Sequence, residues 1–404
     1  MKKLRVFSKA MFALVLILSI FACVSVKTVE PVINTDAYKV SSYIRTWPLG
    51  STPEQAALNK HWSAETVKAE YLTDLIVAFA HIDQETWGLY FPDVESEESP
   101  FPELWEEVAA LQAKYPHLDM HVSVGGYGAD GFSEMSADDT KRATFVGAVV
   151  DLVKEKNLDG IDIDWEYPIG PDWGQEISCS PKDGENFIKL LSDLRVALDA
   201  LEQETGKEYT VSIAVPASTW YVSKIDVVKV ASLVDTMKLM SYDYYGSWSA
   251  QTGHHANLFN NPKDPDWGGW STDQAVRTYL DAGVPAEKLI LGVAFYGRAW
   301  EGVQENGVNG LFQKYAASVY NDGLAWPDLQ PFLAEGSGFT RYWDDVAKAP
   351  YLYNGDIFIT YTDPEAIQYI GEYVKEKGLG GVMTWEYGHD VEAELLEVLA
   401  NSVQ

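Results

Sequence analysis

Three acidic residues alternate with apolar residues in one short stretch of the sequence, LDGIDIDWEYP at positions 158–168. Asp162, Asp164 and Glu166 would share one face of a β-strand, about 7 Å apart at each step of two residues. Because like charges this close cannot all ionise cheaply, at least one proton should be retained at neutral pH. We therefore expect Glu166, the outermost, to act as a general acid, with Asp162 and Asp164 sharing a proton behind it.

This acidic stretch allows two other interpretations. An acidic loop facing water is one, but Ile161, Ile163 and Trp165 occupy the alternate positions and demand burial. A Mg²⁺ or Ca²⁺ site is the other, since clustered carboxylates bind these ions. Asp162 and Glu166 are too far apart on a straight strand to share one ion, and no histidine is near them in sequence. We expect no metal and no cofactor.

Eight short apolar runs are typical of buried parallel strands, and amphipathic helical patterns lie between them. The runs are 40–44, 75–82, 119–126, 160–166, 209–215, 237–243, 289–295 and 380–385. Eight strands alternating with helices predict an α/β fold, a (β/α)8 TIM barrel. Glu166 would then lie at the carboxyl end of the fourth strand, which is the end where such barrels carry their active sites.

The connection between the seventh and eighth strands is longer than a single helix needs. More than eighty residues separate these strands, whereas one helix would require about twenty. The segment 298–356, rich in Gly, Tyr and Trp, predicts a small α+β insertion between strand 7 and strand 8. The catalytic barrel would therefore consist of residues 38–297 and 357–404, and the insertion would form one wall of a cleft.

The amino terminus has the pattern of an export signal. A basic start leads into an apolar segment, residues 10–22, which is too short to cross a bilayer comfortably, so we expect a signal peptide at 1–23 and a linker at 24–37. Cys23 follows Ala22 and resembles the lipidated cysteine of bacterial lipoproteins, although Phe21 fits that pattern poorly. We expect a secreted, periplasmic or cell-surface protein, lipid-anchored to a membrane if Cys23 is acylated. A disulfide between Cys23 and Cys179, the other cysteine, is not expected.

The overall composition excludes one class of partner. Lys and Arg number 30 against 60 Asp and Glu, giving a net charge of −30, and nucleic-acid binding requires a basic surface. The 14 Trp and 23 Tyr are a high number for this length; many will pack in the core, and aromatics beyond what the core needs often line ligand surfaces. We expect a monomer that binds no nucleic acid.

Several motifs resemble those of glycoside hydrolase family 18, the chitinases. LDGIDIDWEYP matches the family signature DGxDxDWEYP, and four further stretches match in the family's order. They are SVGG (123–126), MSYDYYGSW (240–248), FYGR (295–298) and GGVMTWEYG (380–388). The resemblance covers the chain from about residue 38 to its end, and the long connection is similar to the insertion of chitinases that cut processively or from chain ends.

The resemblance implies a role for each acidic residue. Glu166 would protonate the glycosidic oxygen, and Asp164 would turn toward the 2-acetamido group of the substrate and stabilise the oxazolinium ion. Asp162 would take the buried proton while Asp164 turns. Tyr242 and Asp243 correspond to the pair that binds the acetamido group.

The resemblance also implies sugar-binding and supporting residues. Trp385 would form the floor under the cleaved sugar. The other substrate-binding candidates are Met240 below the Tyr242–Asp243 pair, Tyr43, Trp248, Trp47 and Arg298. The supporting candidates are Asp159 at the strand end and the small residues Ser123, Gly125 and Gly126. The sequence departs from many relatives at Ser42, where they have glycine, and matches loosely at 361–367.

The expected activity is a chitinase that hydrolyses β-1,4 bonds between N-acetylglucosamine units of chitin or chitooligosaccharides, with retention of configuration and by a substrate-assisted mechanism. An endo-β-N-acetylglucosaminidase acting on N-glycans is the nearest enzymatic alternative. A chitin-binding lectin without activity is the alternative from another class, and it would need a defect elsewhere because Glu166 is present. A phosphoesterase holding metal through the acids is a third alternative, but no basic anion site supports it.

Overall fold

The computed structural model describes residues 28–35, 37–49, 61–94, 101–170, 177–265, 270–305 and 307–404. The predicted signal peptide with Cys23 lies outside these residues. Cys179 is described and has a free, exposed thiol. Among the described residues, no helix has both the length and the apolar character needed to cross a membrane.

Eight parallel strands form a closed barrel. Numbered in chain order with the other strands of the chain, they are β1 (Lys39–Arg45), β2 (Asp74–Ile82), β4 (Asp119–Gly125), β5 (Gly160–Asp164), β6 (Thr210–Pro216), β7 (Thr236–Met240), β8 (Leu289–Ala294) and β14 (Gly381–Trp385). A short strand β3 (Leu89–Tyr90) pairs antiparallel with the end of β2. The barrel order is β1-β14-β8-β7-β6-β5-β4-β2, and pairing of β1 with β2 closes it. The predicted TIM barrel is therefore confirmed.

Helices surround the barrel and bury its outer face. In chain order the helices of the described residues are α1 (Leu104–Lys114), α2 (Phe132–Ala137), α3 (Asp139–Glu155), α4 (Asp183–Thr205), α5 (Thr219–Lys224), α6 (Val227–Ala231), α7 (Thr272–Asp281), α8 (Trp326–Leu333), α9 (Pro364–Lys377) and α10 (Glu394–Val403), with short 3-10 turns at Ala69–Tyr71, Ala286–Lys288 and Tyr387–His389. Of these, α8 belongs to the insertion between β8 and β14 and not to the barrel. The ends of α9 follow from its sequence. The Asp363 side chain accepts a hydrogen bond from the Ala366 backbone N–H at 3.0 Å, Pro364 occupies the first turn, and Gly378 ends the helix with a φ of 63°.

All eight predicted strand runs coincide with barrel strands, but two of the strands end at least two residues earlier than expected. β5 ends at Asp164 and β7 ends at Met240. Glu166 and the Tyr242–Asp243 pair therefore lie in loops at the carboxyl end of the barrel, two to three residues after their strands end. Loops at this end can aim side chains over the barrel mouth, whereas strand residues are confined to the pleat.

A second sheet with five antiparallel strands interrupts the connection between β8 and β14. Its strands are β9 (Tyr296–Glu301), β10 (Ala317–Ala325), β11 (Thr340–Asp344), β12 (Ala349–Tyr353) and β13 (Phe358–Thr360), in the order β10-β9-β13-β12-β11. This α+β module includes α8 and extends slightly beyond both ends of the predicted segment 298–356. Its small core is aromatic, with Trp300, Tyr351 and Phe358 packed against Tyr245 from the loop after β7. The module therefore adjoins the same end of the barrel as the acid row.

Candidate active site

Asp162 lies at the inner end of the acid row and is fully buried. Its carboxylate accepts hydrogen bonds from the hydroxyls of Ser212 (2.6 Å), Ser123 (2.8 Å) and Tyr43 (2.8 Å), and Lys238 Nζ lies 3.2 Å from Oδ1. The two serines are its register partners on the neighbouring strands β4 and β6.

These donors determine the charge of Asp162. Burial favours the neutral acid, but the Lys238 ammonium and the three hydroxyls outweigh burial, so the pKa of Asp162 is lowered. The lowered pKa of Asp162 contradicts the expectation that Asp162 shares a proton with Asp164 in the free protein. A lysine within hydrogen-bonding distance stabilises the carboxylate form.

Asp164 is the buried acid that lacks such donors. The residue is 4% exposed, and its Oδ1 has no hydrogen-bond partner within the part of the chain that the structure describes. Burial, together with the charges of Glu166 and Asp162, raises the pKa of Asp164 well above its usual range. Of the two acids in the interior of the barrel, Asp164 is therefore the one that carries a proton.

Glu166 follows β5 by two residues and is 9% exposed. Burial raises its pKa to about 7, although a hydrogen bond with the Tyr167 side chain opposes this effect. Glu166 is therefore partly protonated at neutral pH, as a general acid must be. Glu166 and Asp164 are close enough for each to influence the protonation of the other.

Asp243 and Tyr242 lie across the barrel mouth, at the end of β7. Asp243 Oδ1 accepts hydrogen bonds from Tyr296 Oη and Arg298 Nε, both at 2.7 Å, and His255 Nδ1 lies 3.7 Å away. Burial raises the pKa of Asp243, but the contact with His255 and the positive charge of Arg298 outweigh burial, so the net pKa is lowered. Asp243 is therefore an anion whose position is set by two side chains of the inserted sheet.

The backbone of Asp243 places it in this position. Its φ of 61° lies in the left-handed region, which a residue with a side chain adopts only when its surroundings favour it. Tyr242 packs against Tyr296 with ring centroids 6.3 Å apart, and burial raises the pKa of its phenol well above the usual range. The phenol is therefore protonated at neutral pH and can donate a hydrogen bond.

Aromatic rings form the floor of the site. The Trp385 ring, at the end of β14, is surrounded by Phe79 and Tyr43, both with centroids at 5.6 Å, and by Trp47 at 6.5 Å. Trp385 and Trp47 are half-buried, so one face of each can remain accessible. Phe79 was not predicted from the sequence. A flat, partly open indole is a surface on which the apolar face of a pyranose can stack.

Trp248 lies on the other flank, beside the Asp243 loop, and is 62% exposed. The Arg298 guanidinium carbon lies 4.9 Å from the centroid of the Trp248 ring. Arg298 thus forms a salt bridge with Asp243 and also contacts Trp248 beside the cleft. Gly246 is needed here because a Cβ would come within 2.3 Å of the Trp248 ring.

The predicted supporting residues divide into two groups. Gly125 and Gly126 provide space, because a Cβ at Gly125 would lie 2.0 Å from the Asp164 carbonyl oxygen and one at Gly126 would lie 2.7 Å from Phe79. Ser123 has a further function as a hydrogen-bond donor to Asp162.

Other predicted residues lie farther from the acids. Asp159 precedes β5, where it accepts a hydrogen bond from the Met120 backbone N–H at 2.7 Å and pairs with Lys207 at 2.8 Å. It supports the strand from the end opposite the site. Met240 is half-buried at the end of β7, and the buried Ser42 donates a hydrogen bond to the carbonyl of Tyr43 at 3.1 Å.

Two polar contacts of the acid row were missed from the sequence, namely Lys238 and Ser212. Lys238 had a visible signal, since it shares the inward face of its strand with Met240 and Tyr242, and lysine is almost never buried unless it is paired. Ser212 had no such signal, because serine is common both at inward-facing and at outward-facing positions of strands. Among the described ranges, no group of three or more His, Cys, Asp or Glu side chains is arranged to hold a metal ion.

Comparison with known proteins places these residues in a family. The model of glycosyl hydrolases family 18 matches residues 43–390. The chain is 38% identical over 293 residues to Chitinase A1 of Niallia circulans, and this aligned region covers 69% of this chain and 42% of that protein. The chain spans about half the length of the curated relatives it matches.

Two solved structures have a similar fold. A glycoside hydrolase family 18 N-acetylglucosaminidase from Paenibacillus barengoltzii is 34% identical with a TM-score of 0.77, covering 90% of this chain and 99% of that one. A class V chitinase from Nicotiana tobaccum in complex with NAG4 is 25% identical with a TM-score of 0.75, covering 91% of this chain and 99% of that one.

Proposed function

Because the chain belongs to glycosyl hydrolases family 18, we propose that it is a chitinase that hydrolyses β-1,4 bonds between N-acetylglucosamine units of chitin or chitooligosaccharides. The observation that carries the proposal is the state of Glu166. Its carboxyl group lies at the carboxyl end of the barrel and its pKa is raised to about 7, beside the neutral Asp164. A buried acid that is partly protonated near neutrality can donate a proton to a leaving oxygen.

The proposed reaction retains the anomeric configuration and uses the acetamido group of the substrate as its nucleophile. Glu166 gives its proton to the glycosidic oxygen as the bond to the anomeric carbon breaks. The acetamido carbonyl oxygen attacks the same carbon, and a positively charged oxazolinium ion forms. Water then opens this ion, and Glu166, now a carboxylate, accepts the proton of that water. The enzyme returns to its starting protonation state.

Asp164 stabilises the charged intermediate in this scheme. In the free enzyme Asp164 carries a proton, and the neighbouring Glu166 is partly ionised. When the acetamido N–H enters the site, it offers a hydrogen bond that favours the Asp164 carboxylate, so the shared proton moves toward Glu166. The carboxylate of Asp164 then faces the developing positive charge, while Glu166 holds the proton that the leaving group needs.

Tyr242 and Asp243 bind the acetamido group from the β7 side. The Tyr242 phenol can donate to the acetamido carbonyl, and the Asp243 carboxylate, 36% exposed, adds negative charge near the oxazolinium ion. The sugar ring would stack on Trp385, with neighbouring units toward Trp47 on the β1 side and Trp248 on the β7 side.

An N-acetylglucosaminidase is a second candidate, because a relative described by that name is 34% identical and is covered over 99% of its length. An endo-β-N-acetylglucosaminidase acting on N-glycans would use the same acids. Analysis of the products from chitin, defined chitooligosaccharides and a high-mannose glycoprotein separates the three activities. Release of single sugars only, or of whole glycans, would contradict the chitinase proposal.

The test of the catalytic assignment is Glu166→Gln, which keeps the shape of the side chain and removes its proton donor. We expect turnover of chitooligosaccharides to fall by roughly 10³-fold or more while the dissociation constant for the same oligosaccharide changes only a few-fold. Glu335→Gln, at an exposed loop position after α8, is the matched control and should keep wild-type turnover. Unchanged turnover of the Glu166 variant would refute the assignment, and loss of activity in EDTA would favour a metal-dependent reaction.

Export also remains a proposal. We propose that the amino-terminal signal directs secretion or cell-surface attachment, with acylation at Cys23 as the means of anchoring, and that the protein is a monomer. Intact-mass measurement of the mature protein from its native host tests the anchor. A mass without acyl chains, or an amino terminus after Cys23, would exclude it.

A further inference from the structure

Lys238 is a lysine inside the barrel core. It lies in the middle of β7 with 1% of its side chain exposed, and its Nζ is 3.2 Å from Oδ1 of Asp162, whose side chain is 0% exposed. A buried ammonium is costly unless a carboxylate and further polar groups compensate it. The sugar-binding surface does not need this residue, because Lys238 lies behind the acid row rather than in front of it.

Other titratable groups approach Lys238 and Asp162 from the elements packed around them. They are Lys39 and Tyr43 on β1, Asp74 on β2, His121 on β4, Asp164 and Glu166 on and after β5, and Tyr242 after β7. Asp74 is the second buried anion, with a pKa lowered to about 2 against the effect of burial by the charges of Lys39 and Lys238. It accepts hydrogen bonds from Ser41 and Thr73 at 2.8 Å and 2.5 Å.

Histidine does not replace Lys238 as the cation. His121 Nδ1 lies 3.9 Å from Asp74 Oδ1, and its other ring nitrogen contacts the Thr210 hydroxyl at 2.8 Å. Burial lowers the pKa of His121, so its ring is neutral at the pH of interest. Lys39 pairs with Asp119 at 3.1 Å at the open bottom of the barrel. Within the described residues, Lys238 is therefore the cation in contact with the acid row.

We propose that Lys238 is a positioning residue for catalysis, whose buried ammonium holds Asp162 as a carboxylate and thereby confines the catalytic proton to Asp164 and Glu166. The inference rests on the proposed function, since it assigns a task within that reaction. Three hydroxyl donors orient Asp162, but they are neutral and compensate only part of the cost of a buried charge. The ammonium supplies the remaining compensation.

The consequence for catalysis follows from the order of the row. If Asp162 were free to take the proton, Asp164 would ionise without passing that proton to Glu166, and the leaving group would lose its acid. With Asp162 held as an anion, its negative charge also opposes ionisation of Asp164 until a substrate hydrogen bond arrives. Lys238 thus acts on the reaction through Asp162, without touching substrate.

The experiment measures kcat/KM against pH from 4 to 10 with a soluble chitooligosaccharide. Lys238→Met removes the charge at nearly constant length, and Lys238→Arg keeps it. Without the ammonium, every carboxyl of the row binds protons more tightly, so we expect both limbs of the profile of the Met variant to move upward by about one pH unit or more, with a fall in kcat larger than the change in KM. The Arg variant should follow the wild-type limbs more closely.

Lys39→Met is the matched control, because it makes the same substitution at the cation that lies far from Glu166 and partly in solvent. Its profile should shift by less than half that of Lys238→Met. A Met variant with lower activity at every pH but unmoved limbs would mean that Lys238 is only structural. Such a result would overturn the proposal.

A second measurement does not depend on activity or on folding of the variant. Carbon-13 NMR of wild-type protein labelled at the aspartate carboxyl groups reports the titration of Asp162 directly. We expect no titration of Asp162 between pH 5 and 8, and titration within that range would overturn the proposal. If the wild-type protein failed to cleave chitooligosaccharides while Asp162 stayed ionised, the proposed function would fail and the electrostatic role of Lys238 would stand.

Discussion

The raised pKa of Glu166 has a cost in stability that can be measured without substrate. An acid whose pKa is higher in the folded state binds its proton more tightly when folded. The contribution of Glu166 to the free energy of unfolding is therefore most favourable below its pKa in the unfolded chain, near 4.5. This contribution is lost as the pH rises toward its pKa in the folded protein, about 7. Above pH 7 the folded protein must carry a buried anion that the unfolded chain would expose to water.

The magnitude follows from the two pKa values. At about 1.4 kcal/mol for each pH unit, a rise from 4.5 to about 7 corresponds to about 3 kcal/mol in total. Between pH 5 and pH 8, which avoids the sequence pI of about 4.5, roughly 2.5 kcal/mol of this difference should be visible. Glu166→Gln cannot ionise and therefore escapes this penalty.

The assay is urea unfolding of the wild-type protein and of Glu166→Gln at pH 5 and at pH 8. We expect the variant to gain about 2 to 3 kcal/mol relative to wild type on going from pH 5 to pH 8, because other pH effects are common to both proteins. Glu335→Gln, at an exposed position, should track the wild type at both pH values. A Glu166 variant whose stability advantage over wild type is the same at both pH values would show that this carboxyl group ionises normally and would contradict its role as the general acid.

Two further predictions concern residues around the floor of the site. Arg45 and Glu386 form a buried ion pair at 2.8 Å, with side-chain exposures of 8% and 1%. Arg45→Met should lower the free energy of unfolding by about 3 kcal/mol, because it leaves a buried carboxylate unpaired. An unchanged denaturation midpoint in urea would contradict this prediction. Trp248→Ala should raise KM for longer chitooligosaccharides roughly fivefold with little change in kcat, since it removes an exposed stacking surface. Tyr320→Ala, at an exposed aromatic residue of the inserted sheet, is its control, and equal effects from both would refute a specific sugar contact.

The fold was predictable because barrel strands that are covered on both faces must be apolar throughout their length. The run 289–295 illustrates this point, since every residue of the corresponding β8 is buried. The strand ends were less predictable. Asp164 and Met240 end their strands although polar and apolar residues continue to alternate beyond them, because loop conformation depends on tertiary contacts. The positive φ of Asp243, with its contacts to Tyr296 and Arg298, is an example that local sequence does not reveal.

The acid row itself was predictable from a period of two residues, but the charge on each member was not. Alternation shows which side chains point inward, and it contains no information about which strands lie beside them. The contacts of Asp162 come from β1, β4, β6 and β7, which are distant in sequence. Only the closed barrel brings those donors together, so the prediction that Asp162 and Asp164 share a proton was wrong.

Neighbouring strands explain why two adjacent acids of one strand differ in protonation. The register partners of Asp162 are Ser123 on β4 and Ser212 on β6, so hydroxyl donors flank it on both sides. The register partner of Asp164 on β4 is Gly125, which has no side chain to donate and whose own Cβ would clash with the Asp164 carbonyl at 2.0 Å. On β4, Ser123 beside Asp162 can donate a hydrogen bond, whereas Gly125 beside Asp164 cannot. Asp164 therefore lacks the donor that would stabilise its carboxylate, and it keeps its proton. Since the backbone leaves no room for a side chain at Gly125, close packing of β4 against β5 and the neutrality of Asp164 have the same structural cause.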